Sequence, residues 1–270
     1  MSVKSLIVSA VFALSPGIAF GASSEWVDVT GGKARLIIAE PEPGAAVTDA
    51  VLEVDLESGW KTYWRDPGDA GVPLQFDFSP SKNASLVEVV YPTPKRFDDG
   101  VTVWAGYDAP VAFGLKLQRH DVASSVALKG SAFFGVCDKI CVPVKLEFDI
   151  EAADSAKPTI HREVVAMRME QMPTKPVSEL QVTKATRTEN HLTIEAKTSG
   201  DGVLPELFLA APQGIQFKAP VLKSSEGSKA VFETAIMYWK PANSHATAPV
   251  SYTLLDGEKA VSGSFEIPAQ

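Results

Sequence analysis

The sequence predicts an all-β protein built as two immunoglobulin-like β-sandwich domains joined by a short helix. Short runs of alternating apolar and polar residues recur along the chain, bounded by Gly, Pro, Asp and Ser, which is the pattern of antiparallel strands with one buried face. These runs follow one another without the intervening helices of a βαβ rhythm, so an antiparallel sandwich is favoured over a parallel sheet. One stretch near the middle breaks the alternation and divides the strands into two groups. A length of 270 residues, at roughly 150 residues per domain, agrees with two cores.

Residues 1–21 have the layout of a secretory leader. They carry Lys4, an apolar stretch over 6–14, a helix-breaking Ser15-Pro16-Gly17 and small residues at Ala19 and Gly21, so cleavage is expected after Gly21. The apolar run is too short for a permanent span, and no cysteine follows it for lipid attachment. An uncut N-terminal anchor is the alternative. Export places the two cysteines in an oxidising compartment, where they can bond to each other.

Residues 22–153 form the first expected sandwich, with strands read at 35–38, 51–56, 74–78, 86–91, 111–117, 126–134 and 142–150. Residues 154–173 form the expected helical linker, with Pro158 in its first turn and Ile160, Val164 and Met167 spaced to share a face. Residues 174–270 form a second, smaller sandwich, with strands at 180–182, 192–196, 207–210, 231–236, 250–255 and 261–267. This region carries no cysteine and no clustered carboxylates, which leaves it a positioning or recognition role, or that of a spacer.

Composition excludes several classes. Hydrophobic residues at 45% and charged residues at 21% fit neither a disordered chain nor a polytopic membrane protein. A formal charge of −8, from 25 Lys and Arg against 33 Asp and Glu, repels a phosphate backbone, so no nucleic acid partner is expected. His120, His161, His191 and His245 have no metal-ligand spacing with the cysteines, which excludes a zinc fold. There is no phosphate loop and no nucleophile elbow, so no cofactor is expected.

The chemical focus is Phe133-Phe134-Gly135-Val136-Cys137-Asp138-Lys139-Ile140-Cys141-Val142-Pro143, which reads as two strands joined by a three-residue connection. Residues flanking such a turn can lie about 5.5 Å apart between Cα atoms, within reach of a disulfide. A loop this short gives about 2 kcal/mol of chain-entropy stabilisation, a weak staple. Strand-linking bonds enclose longer loops, whereas short-loop pairs are commonly redox-active. Lys139 would favour a thiolate and Asp138 would oppose it, so the local charges do not assign the attacking sulfur. From the pair alone, redox exchange, a structural disulfide and metal binding all remain open.

Upstream lies Gly59-Trp60-Lys61-Thr62-Tyr63-Trp64-Arg65-Asp66-Pro67-Gly68-Asp69-Ala70-Gly71-Val72-Pro73, followed by Tyr91-Pro92-Thr93-Pro94-Lys95-Arg96 and by Gly106-Tyr107-Asp108 before Ala109-Pro110-Val111. With the Cys-x3-Cys-x-Pro segment, this combination over about residues 26–150 resembles the N-terminal periplasmic domain of the DsbD and ScsB-like thiol:disulfide interchange family. The resemblance implies an immunoglobulin-like sandwich carrying a redox dithiol at Cys137 and Cys141. Such a domain takes electrons from a membrane electron-transfer protein of DsbD type. It passes them to disulfides of thioredoxin-like or other disulfide-containing periplasmic proteins. In the family the second cysteine forms the mixed disulfide, and that position matches Cys141.

The resemblance also implies an aromatic cap over the pair, with residues 97–107 as the nearest candidate. Phe97, Tyr107, Tyr63, Trp64, Asp138 and Lys139 are the expected cap or supporting residues. The tryptophans and Tyr63 equally suit burial in a sandwich core. Two departures stand out. The three-residue spacer is that of the ScsB-like members and shorter than that of DsbD. The sequence to Gln270 also contains no transmembrane segment and no Cys-x-x-Cys domain, which implies a separate polypeptide as electron donor. Two other readings compete. One is a copper-binding or copper-tolerance protein using the cysteines with Met167, Met169 and Met172; the other is a recognition sandwich with an inert disulfide.

Overall fold

The computed structural model describes residues 22–68, 71–98, 100–239 and 247–267; the leader expected at 1–21 lies outside them. The first group of strands is β1 (Val27–Val29), β2 (Gly32–Ile38), β3 (Val47–Leu56), β4 (Lys61–Gly68), β5 (Gln75–Asp77), β6 (Ala84–Val90), β7 (Lys95–Asp98), β8 (Val103–Tyr107), β9 (Val111–Arg119), β10 (Val126–Cys137) and β11 (Cys141–Ala152). The helix α1 (Ile160–Met169) follows. Then come β12 (Gln181–Thr188), β13 (His191–Lys197), β14 (Glu206–Ala210), β15 (Ile215–Phe217), β16 (Val221–Glu226), β17 (Lys229–Trp239), β18 (Ala248–Asp256) and β19 (Lys259–Ile267). Among the described residues the protein is all-β with one short helix, as its alternation predicts.

One sheet runs β1-β2-β3-β9-β6 and a second runs β11-β10-β4-β8-β7, with β5 also pairing β10. The strand pairs in them are antiparallel. Their facing sides supply the core. Leu36, Leu52, Leu115 and Leu117 from the first sheet pack with Trp64, Leu128, Phe134, Leu146 and Phe148 from the second. In β11 the period of two is plain to the eye, since Val144, Leu146, Phe148 and Ile150 are buried and the residues between them are mostly exposed. The remaining strands form sheets β12-β13-β17-β15, with β16 pairing β17, and β14-β18-β19. They enclose a second core around Leu192, Ile194, Phe232, Val250 and Leu254.

The two cores meet. Phe208 and Ala210 of β14 belong to the first hydrophobic cluster, where Phe208 sits edge-on to Trp64 with ring centroids 5.9 Å apart. The Arg96 guanidinium lies over the Phe208 ring at 4.6 Å and donates a 2.8 Å hydrogen bond to the Leu207 carbonyl.

The helix departs from its expected packing. Its cap is Thr159, whose hydroxyl accepts from the Arg162 amide, so Pro158 precedes the cap and is outside the first turn. A side-chain oxygen at that position satisfies an orphan amide, which proline cannot do. Its buried residue is Val165, which packs on Ile37, Ala39 and Val51 on the outer face of the first sheet. Ile160 and Met167, expected on the buried face, are 67% and 49% exposed. Polar anchoring sets this orientation. Arg168 and Arg35 each contact the buried Glu53 carboxylate at 2.7 Å, and Arg162 donates to the Glu40 carbonyl. The helix thus also explains why β3 is apolar on both faces over Ala50–Leu52.

Candidate functional site

Cys137 and Cys141 are direct partners in the β10–β11 ladder and are joined by a disulfide. The connection is the three residues read from the sequence, closed by the Asp138 amide donating to the Ile140 carbonyl. Their Cα atoms are 4.1 Å apart, closer than the 5.5 Å expected. The ladder explains this. The Gly135 amide turns away from β11 to the Val72 carbonyl, so Gly135↔Pro143 and, two residues on, Cys137↔Cys141 occupy the narrow, non-hydrogen-bonded positions, where spacing is about 4.5 Å. The sulfurs differ in access: Cys137 is 5% exposed, whereas Cys141 lies on the exposed start of the edge strand β11.

Tyr63 reaches both sulfurs. Its hydroxyl donates to Cys137 Sγ at 2.8 Å and lies 3.1 Å from Cys141 Sγ. Burial pushes the phenol pKa up, so Tyr63 keeps its proton near neutral pH and serves as a hydrogen-bond donor. The ring is seated against Gly71, which has φ +119° and where an added Cβ would lie 2.4 Å from two ring carbons. No other residue fits there without displacing the tyrosine.

The cover over the pair is a β-hairpin rather than a loop. Phe97 of β7 and Trp104 of β8 are ladder partners, and their rings stack at 4.0 Å with an 11° interplanar angle. Trp104 also meets Tyr63 edge-on at 5.3 Å, and together Tyr63, Trp104, Phe97 and Cys137 form one apolar cluster. Strand alternation explains the membership. Lys61 and Tyr63 project from one face of β4, while Thr62 and Trp64 project from the other.

That alternation turns Trp64 and Tyr107, two of the expected cap or supporting residues, into the core, which for Trp64 is the burial its aromatic character also suits. Trp64 is 1% exposed in the sandwich core, away from the sulfurs. Tyr107 is likewise a core residue, donating to the Pro92 carbonyl at 2.9 Å and lying edge-on to Phe113. Asp138 and Lys139, expected as supporting residues, are exposed at the hairpin tip. Trp104 and Lys61, both on the site face, were not singled out from the sequence. The period-two pattern through Lys61-Thr62-Tyr63-Trp64, one step out of phase with the core residues, was the signal available.

The methionines weighed as copper ligands do not join this cluster. Met169 packs against Gly114 of β9 in the first sheet, Met172 is buried and Met167 is exposed, whereas the cysteines lie on the second sheet. Among the described residues no group of three or more His, Cys, Asp or Glu side chains is arranged to hold a metal ion. No helix among them is long and apolar enough to cross a membrane.

Residues 38–152 match the family model for the N-terminal part of the thiol:disulfide interchange protein DsbD. Among solved structures, the N-terminal periplasmic domain of ScsB from Proteus mirabilis is similar over 93% of this chain and 100% of its own, with a TM-score of 0.72 and 21% sequence identity. The shared fold therefore extends through both sandwiches. A chimeric titin Z1Z2 carrying a decorin peptide aligns over 88% of this chain and 98% of its own at 11% identity, with a TM-score of 0.19, too low to bear on the fold. No curated protein matches the chain.

Proposed function

We propose that this chain, whose residues 38–152 match the DsbD N-terminal family, is a periplasmic thiol:disulfide interchange module, a protein-disulfide reductase component with Cys137 and Cys141 as its reactive pair. The observation that carries the reading is the asymmetry of one disulfide: Cys141 is exposed, while Cys137 is buried beneath Tyr63, Phe97 and Trp104. A bond kept only for stability needs neither an accessible sulfur nor a hydroxyl aimed at both sulfurs.

In the reduced protein the Cys141 thiolate attacks a sulfur of the partner's disulfide. An S–S bond forms between Cys141 and the partner, the partner's own S–S bond breaks, and its second sulfur leaves as a thiolate. The Cys137 thiolate then attacks Cys141 Sγ. This closes the Cys137–Cys141 bond and expels the partner's remaining sulfur, so the partner gains two electrons and the pair loses two. The reverse sequence reloads the module from a membrane electron-transfer protein of DsbD type. Tyr63 donates its hydrogen bond to whichever sulfur carries the charge. Acceptors are thioredoxin-like or other disulfide-containing periplasmic proteins.

Trapping tests this assignment. Cys137→Ala removes the resolving thiol, so partner-linked adducts that vanish on adding reductant should accumulate on non-reducing gels, while Cys141→Ala should accumulate few. Adducts from neither variant overturn the interchange reading, and the opposite pattern exchanges the two roles.

A further inference from the structure

A single row of side chains crosses the second sheet from Lys61 in β4 through Cys137 in β10 to Cys141 in β11, because Cys137 is the ladder partner of both. Directly opposed residues on antiparallel strands project on the same face with Cβ atoms about 4.5–5.5 Å apart, so the stem of Lys61 starts beside Cys137. Its ammonium lies 5.4 Å from the Trp104 ring centroid and 5.7 Å from that of Phe97. Both rings belong to the apolar cluster that contains Cys137. The stacked aromatics therefore hold a cation at the border of the apolar pocket around the buried sulfur.

The other charges on this face do not cancel it. Alternation in β7 and the residues after β8 places Lys95 and Asp108 on the same side, but they pair with each other at 2.8 Å, and Asp108 is held below the usual carboxylate range chiefly by that hydrogen bond. From β4, Tyr63 is a neutral donor. At the β10–β11 tip Asp138 and Lys139 are exposed and of opposite sign. Lys61 has no carboxylate within ion-pair distance among the described residues, and Asp108, which also feels the Lys61 charge, is already paired with Lys95. The surplus charge facing Cys137 is therefore positive and comes from Lys61.

We propose that Lys61 is the electrostatic positioning residue of the pair, stabilising the thiolate of Cys137. The proposal rests on the interchange reading. Whichever way electrons flow, Cys137 carries negative charge once per cycle, as resolving nucleophile or as leaving group. Burial in an apolar site disfavours a thiolate, and a nearby ammonium offsets that cost.

The test uses the full chain with Cys141→Ser, leaving Cys137 as the sole thiol, and follows its ionisation by thiolate ultraviolet absorbance and by alkylation rate against pH. Adding Lys61→Gln should raise the Cys137 pKa by about one unit, equivalent to roughly tenfold less thiolate at a given pH below it. Lys61→Arg should restore it, and in the Cys137→Ser background Lys61→Gln should shift Cys141 less. If Lys61→Gln loses its fold by circular dichroism, Lys61→Met, which keeps the apolar stem over the rings, takes its place with the same expectation. A Cys137 pKa that moves by less than about 0.3 unit in a folded variant, or that arginine fails to restore, overturns the proposal. These measurements need no partner, so they are independent of the trapping experiment: absent adducts with an intact pKa shift would refute interchange and leave the Lys61 effect standing.

Discussion

Replacing Tyr63 by Phe should make the pair more reducing. The variant removes one oxygen and leaves the ring against Gly71 and edge-on to Trp104, so packing is conserved. In the oxidised protein the lost interaction is a neutral O–H···S contact to Cys137 at 2.8 Å, worth about 0.5–1 kcal/mol net. In the reduced protein the same hydroxyl faces a thiolate, and hydrogen bonds to charged groups contribute about 1.5–3 kcal/mol. The difference, about 1–2 kcal/mol, falls on the reduced state. Since 1.36 kcal/mol is one pKa unit, the thiol that ionises first should titrate about one unit higher. For a two-electron couple about 30 mV corresponds to 1.4 kcal/mol, so the potential should fall by roughly 30 mV at a pH where the wild-type thiolate is populated. The sign follows from the loss being larger in the reduced form. Equilibration with glutathione buffers, read by alkylation and mass, measures the potential, and the shift should shrink below the thiol pKa, where both reduced proteins are protonated. An unchanged potential together with an unchanged thiol pKa would refute the role given to the hydroxyl, and a rise in potential would refute the sign.

Two further outcomes follow from packing. Gly71→Ala places a methyl 2.4 Å from the Tyr63 ring at a φ of +119°; it should destabilise the protein by about 1–3 kcal/mol in urea and reproduce part of the Tyr63→Phe shift in potential, whereas wild-type values for both would mean the ring is not seated by that glycine. Phe208→Ala truncates a ring that is 2% exposed between Trp64 and Arg96 and should cost about 3–4 kcal/mol; a loss below about 1 kcal/mol would mean that the sandwiches do not share this contact in solution.

The strands and the cysteine hairpin were legible because each depends on neighbours in sequence. Alternation in 142–150 announces β11, and the turn-compatible spacing of Cys137 and Cys141 announces their bond. What was hidden depends on pairing between distant segments. Whether Tyr63 or Trp64 faces the sulfurs is decided by register, since Thr62↔Val136 and Lys61↔Cys137 fix which side of β4 meets the pair, and a slip of one residue would have reversed every assignment. Phe97 was expected near the site on resemblance, but its stacking partner Trp104 becomes visible only once β7 and β8 are paired. The helix face was misjudged for a related reason: spacing favoured Ile160 and Met167, but Glu53, on a strand more than a hundred residues earlier, draws Arg168 inward and rotates Val165 beneath. The contribution of Phe208 to the first core carries no local signal, because a buried aromatic in a strand reads the same whichever core it fills.

The strand β7 is also a mechanical coupling. Its consecutive residues Arg96 and Phe97 point to opposite sides, one bound to the Leu207 carbonyl of the second sandwich and the other covering the disulfide of the first. A single peptide unit links the two attachments. Displacing one sandwich against the other would load the same short rod that carries the aromatic shield.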